Sequence, residues 1–149
     1  MAVIDIARTN VVTVEPTEAV ADVIRRMHGE AVGSVVVTDG EEPLGLVSDR
    51  DLAMAVLDEA FDADETAIED IVDEETPTID AEAGVYDLVE LLSQKGRRRV
   101  PVVENGELAG IISLSDVVVL LGMELQHVAT AIRSSAPAYE GSGMQYYHD

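Results

Sequence analysis

Residues 13–27, "TVEPTEAVADVIRRM", fall on residues 78–92, "TIDAEAGVYDLVELL", when the chain is slid along itself by 65 positions. At the same offset "GLVSDRDL" falls on "GIISLSDV" without a gap. The chain is therefore an internal duplication, and whatever one copy folds into the other must also accommodate. Val20, Val23, Ile24 and Met27 land on Val85, Leu88, Val89 and Leu92, the spacing of one helix face in both copies. A short strand precedes that helix, at Val11 to Val14 and at Pro77 to Ile79. Two strands follow it, Ser34 to Thr38 then Leu44 to Ser48, matched by Arg99 to Val103 then Leu108 to Ser113, joined by the turn sequences "DGEEP" and "ENGE". A second helix begins at about Asp49 and about Ser115.

The unit reads β-α-β-β-α. A copy of about 65 residues buries too little surface to be comfortably stable, so the two sheets are expected to pack together about a pseudo-two-fold axis, which creates two equivalent clefts. The expected class is thus α/β (α+β), two pseudo-symmetric repeats packed sheet to sheet. The expected division is repeat 1 over residues 1–66, including an acidic connection, and repeat 2 over residues 67–133, with "AIEDIV" as a short linking helix and a long final helix. Residues 134–149, which hold three of the four tyrosines, read as a flexible tail. The glycines read as turn residues.

Thirty acidic residues stand against nine basic ones, and Lys95 is the only lysine, for a formal net charge of −21. Such a surface repels itself until molar salt shortens the Debye length to about 3 Å. The composition resembles that of a haloarchaeal cytoplasmic protein, and the acidic runs read as a solvated halophilic face. The longest apolar run, Val117 to Met123, is far shorter than the roughly 18–20 residues of a bilayer span, and no signal pattern opens the chain, so no membrane association and a cytoplasmic location are expected. With no cysteine there is no disulfide, thiolate nucleophile or cysteine-rich zinc site. His28, His127 and His148 are scattered without ligand spacing, and no P-loop, G-x-G-x-x-G or G-x-S-x-G occurs, so an enzyme is not expected. The final helix carries more apolar residues than one small repeat can bury, which points to a subunit interface.

Ser48 with Asp51 and Ser113 with Asp116 repeat one pattern in register, each after an apolar strand opened by glycine. One reading is a capping box; another is a ligand site, since a helix start offers free N–H groups and a carboxylate can accept bonds from ribose hydroxyls. The two are compatible. Lys95, Arg97, Arg98 and Arg99 concentrate four of the nine basic residues just before a strand, either to pair with nearby acids or to capture phosphate.

The pair "GLVSDRD" and "GIISLSD", with "VGSVVVTDG", "RRRVPVVENG" and "VVTVEP", resembles the cystathionine-β-synthase (CBS) domain family, and the tandem is similar to a CBS pair, or Bateman module, over roughly residues 4 to 130. The resemblance implies a regulatory module that binds an adenine nucleotide (AMP, ADP or ATP, with Mg as a candidate companion) or S-adenosylmethionine between the repeats. It further implies a homodimer acting on an unidentified protein, with nucleic acid disfavoured by the charge; a ligand-free dimerisation scaffold is the alternative.

By the same resemblance Asp51 and Asp116 are the ribose acids, and Ser48 and Ser113 are the hydroxyl positions. Arg50 and Ser115 stand where phosphate can be touched, and Arg98 and Arg99 match phosphate contacts. Thr13 serves the Asp116 pocket and Thr78 the Asp51 pocket, while Val35, Leu46, Val100, Pro101 and Ile111 flank the adenine. Gly33 and Ser34 replace the arginines in repeat 1, so the second cleft is expected to be the stronger.

Overall fold

A computed structural model describes residues 1–135; the expected tail beyond them lies outside the described residues. The chain divides into two units, Met1–Leu114 and a second that begins at Ser115. The first unit holds two three-stranded sheets of identical topology. β1 (Thr13–Val14) pairs in parallel with β2 (Ser34–Asp39), which pairs antiparallel with β3 (Glu42–Ser48). β4 (Ile79–Asp80), β5 (Arg99–Glu104) and β6 (Glu107–Ser113) repeat this arrangement. α1 (Val20–Glu30) and α3 (Val85–Lys95) connect the parallel pairs, α2 (Asp49–Val56) follows β3, and α4 (Leu114–Ser135) follows β6. β3 lies against β5 and β6, so the sheets pack face to face as the duplication requires.

Backbone punctuation is duplicated too. α1 and α3 both end on a left-handed residue, Ala31 and Gly96, which lets the chain reverse into the next strand. In the β5–β6 hairpin both Asn105 and Gly106 have positive φ, the conformation that a two-residue turn matched to strand twist demands.

Strand alternation separates two faces. Val14, Val35, Val37 and Val47 point toward α1 and α2 and form a buried core with Val20, Val23, Met27 and Leu52. The residues between them, Thr13, Ser34, Val36, Leu46 and Ser48, occupy the other face, in register across the sheet.

The repeats are exchanged at their beginnings. Val3–Asp5 forms a 3-10 turn, and 65 residues later Ile68–Asp70, within "AIEDIV", forms its twin at the opening of repeat 2. Ile68 is fully buried in the core of repeat 1, and its N–H and that of Glu69 donate to the carbonyls of Glu18 and Pro16. The N–H groups of Val3 and Ile4 reciprocate, donating to Ala83 and Ala81 of repeat 2.

α4, 22 residues long, meets the length and composition of a helix able to cross a membrane. The uninterrupted-run criterion overlooked it because Glu124, Gln126 and His127 break the apolar sequence without breaking the helix.

Candidate functional site

The first Ser-x-x-Asp forms a closed capping box at the start of α2. Ser48 Oγ accepts from the Asp51 N–H at 3.2 Å, and Asp51 Oδ2 accepts from both the N–H and the hydroxyl of Ser48 at 2.9 Å. Both cap contacts of the Asp51 carboxylate fall on Oδ2, and Asp51 is exposed. Capping and ligand contact are thus chemically compatible at this residue.

Gly45 and Gly110, the glycines that open the two motifs, are mid-strand residues and not turn residues. A Cβ on Gly45 would lie 2.5 Å from a Val72 methyl and 2.7 Å from the Asp73 carbonyl oxygen. On Gly110 it would lie 2.8 Å from the Arg8 carbonyl oxygen. The missing side chains admit the opening segment of the opposite repeat. Arg8 exchanges two 2.9 Å backbone bonds with Ile111, and the Leu46 N–H donates to Thr76 Oγ1 at 3.3 Å. The chain that leads to Thr78 thereby crosses the strand that carries Leu46 and Ser48, and the chain that leads to Thr13 crosses the strand that carries Ile111 and Ser113.

Leu46 and Ile111 lie on the inter-repeat face, and so does buried Pro101, directly opposite Ile111. Val35 and Val100 do not. Both are fully buried and in register with Val47 and Ile112 on the helix side, so their side chains do not line the inter-repeat face. Val36, unmarked in the sequence reading, lies on that face opposite Leu46; strict alternation across the hairpin would have found it. Thr13 is exposed and lines a polar cleft of about 230 Å³ with Thr9, Thr38, Glu41 and Leu108, where the Leu108 N–H donates to the Glu41 carbonyl. Arg50 is exposed, its N–H bonded to Asp49. Ser113 ends β6; Ser115 and Asp116 stand in the first turn of α4, which belongs to the second unit.

The basic cluster is divided among tasks. Arg97 is ion-paired with Asp73, and Arg98 is exposed, its carbonyl capping the Leu114 N–H. Arg99 is half-buried and donates to Ser34 Oγ at 3.0 Å, with its guanidinium 3.9 Å from where a Gly33 side chain would start. Its charge is therefore delivered to Ser34 of the first repeat, directly across the sheet from Ser48. Asp73 is held below the ordinary carboxylate value of 3.8, first by the backbone N–H of Glu75 and then by Arg97.

A separate groove of about 610 Å³ runs between α1 and α2 on the helix side, lined by Ile24, Met27, Leu52 and Val56; it contains none of the expected site residues. Among the described residues, no group of three or more potential metal ligands comes together.

The CBS domain model matches residues 3–58 and 68–122. The chain belongs to the CBS-domain family and is a tandem CBS pair, a module of the regulatory class. It is 35% identical over 115 residues to protein MK0525 of Methanopyrus kandleri, covering 76% of this chain and 59% of that protein, so it spans little more than half of that relative's length. Among solved structures, the CBS-domain protein ATU1752 of Agrobacterium tumefaciens is 32% identical, with a TM-score of 0.69, over 79% of this chain and 97% of that one. The CBS pair of MJ0100, solved with 5-methylthioadenosine and S-adenosyl-L-methionine, shares the fold at 19% identity and a TM-score of 0.73, over 83% of this chain and 98% of that one.

Proposed function

We propose that this CBS pair binds an adenosine compound, AMP, ADP or ATP, on the inter-repeat face and, as a homodimer, relays occupancy to a partner protein. The observation that carries the reading is the reciprocal crossing. Each repeat's opening segment passes over the third strand of the other at a glycine, and the first of these strands runs into a helix start whose aspartate, Asp51, is exposed. Leu46 and Ile111 supply apolar surface for a base, Asp51 and Asp116 acceptors for ribose hydroxyls, and Arg99 and Arg98 forked donors for phosphate. In molar salt the exposed arginines are screened, so recognition leans on the base and ribose. S-adenosylmethionine enters as a second ligand because the MJ0100 pair of the same fold holds it.

The test is a thermal-shift titration with AMP, ADP, ATP and S-adenosylmethionine in molar KCl, the ATP series with and without Mg. Saturation at 100 times the dissociation constant stabilises by about 2.7 kcal/mol, and an unchanged melting temperature with every ligand rejects the reading. Asp51→Ala and Asp116→Ala then separate a sensor from a ligand-free scaffold. Lost binding marks a ligand acid, while loss of only about 1 kcal/mol of stability marks a cap alone.

A further inference from the structure

We propose that α4 forms a parallel two-stranded coiled coil with α4 of a second copy of this chain. Leu114, Val118, Leu121, Leu125, Val128 and Ile132 recur at alternating spacings of four and three residues, the seam of a heptad repeat. All six are 40–70% exposed, so the seam is a continuous uncovered stripe along a 22-residue helix. An apolar stripe of this period fits another helix by knobs-into-holes packing better than it fits any irregular surface.

The spacing admits one assignment, with Val118, Leu125 and Ile132 at a and Leu114, Leu121 and Val128 at d. Two of three a residues are β-branched and two of three d residues are leucine, the pattern that favours parallel dimers. Glu124, at g, faces Ala129 of the second copy in a parallel pair, but another Glu124 in an antiparallel one. Charge selects the same surface. A chain of net charge −21 resists self-association over most of its face, while α4 carries only Asp116, Glu124 and Arg133 as formal charges. With roughly 100 Å² open on each seam side chain, closing the seam buries on the order of 1,200 Å² in total, the low end for a specific interface. This deepens the homodimer of the proposed function and is independent of the ligand.

Sedimentation equilibrium of the full chain in molar KCl provides the test. The wild type is expected to be a dimer, Leu125→Glu to raise the dissociation constant at least ~10-fold, and Val119→Glu, off the seam, to leave it unchanged. Because the chain has no cysteine, Val118→Cys should form a disulfide-linked dimer on oxidation while Val119→Cys should not; an antiparallel pair would separate the two introduced sulfurs at position 118 by about 15 Å. A dimer indifferent to Leu125→Glu, or no linkage through position 118, overturns the seam and leaves a homodimer built elsewhere. A monomeric wild type overturns both. Flotation of the wild type, but not Leu125→Glu, with phosphatidylglycerol–phosphatidylcholine vesicles would assign the stripe to a bilayer instead.

Discussion

Arg99 donates a 3.0 Å hydrogen bond to the hydroxyl of Ser34, and the two residues hold the same position in the two repeats, 65 apart in sequence. Equivalent positions can touch only near the pseudo-two-fold axis. Two arginines there would repel and two serines would fall short of one another, so divergence of the duplicated residue turns the axis into a directed contact. It also carries one repeat's charge to the other's cleft. Arg99→Ala is expected to weaken AMP and ATP binding by about 10- to 100-fold, the range of a charge-assisted hydrogen bond, with little change in melting temperature. Titration calorimetry checks this, and Arg99→Lys should recover only part of the affinity because it lacks the planar fork.

Gly110→Ala should destabilise the protein by about 1–3 kcal/mol, since the added Cβ meets backbone that cannot rotate away, and Gly45→Ala should do the same against Asp73. Denaturant unfolding in molar KCl measures both. Gly122→Ala is the control: a Cβ there meets nothing within 4 Å, and helix propensity favours alanine by up to about 1 kcal/mol.

The Asp73–Arg97 pair predicts an acid limb. A carboxylate whose pKa is lowered on folding binds its proton more weakly in the native than in the unfolded state. The stability it contributes is therefore complete above the ordinary value of 3.8 and is lost as pH falls through the lowered native value. Asp73→Asn should be less stable than the wild type near neutral pH, and the difference should vanish at the acid end of a chemical-denaturation series. Both side chains are more than one-third exposed, so the difference should shrink as salt is raised.

Salt dependence of the whole protein should have the opposite sign. With 30 acidic against nine basic residues, self-repulsion dominates at low ionic strength, and the melting temperature should climb between 0.1 M and molar KCl as the Debye length falls from about 10 to about 3 Å. A melting temperature flat or falling with KCl would contradict this account of the composition.

The sequence by itself determined the duplication, the four long strands to within two residues, the order of the helices, and the Ser-x-x-Asp helix starts, because these depend on side-chain period and local capping. The structure places Leu46, Pro101 and Ile111 on the inter-repeat face. What the sequence could not determine is which repeat each opening segment joins. Val3 and Ile68 carry no mark of the partner they enter, and Gly45 and Gly110 look like ordinary turn glycines until the crossing chain is seen. Adjacent valines such as Val35 and Val36 are chemically alike, and only the sheet's pairing decides which faces the helices and which the other repeat. The reach of Arg99 across the axis belongs to the same class of fact: contacts between residues 65 apart arise from how two finished sheets are brought together, and no local propensity encodes that.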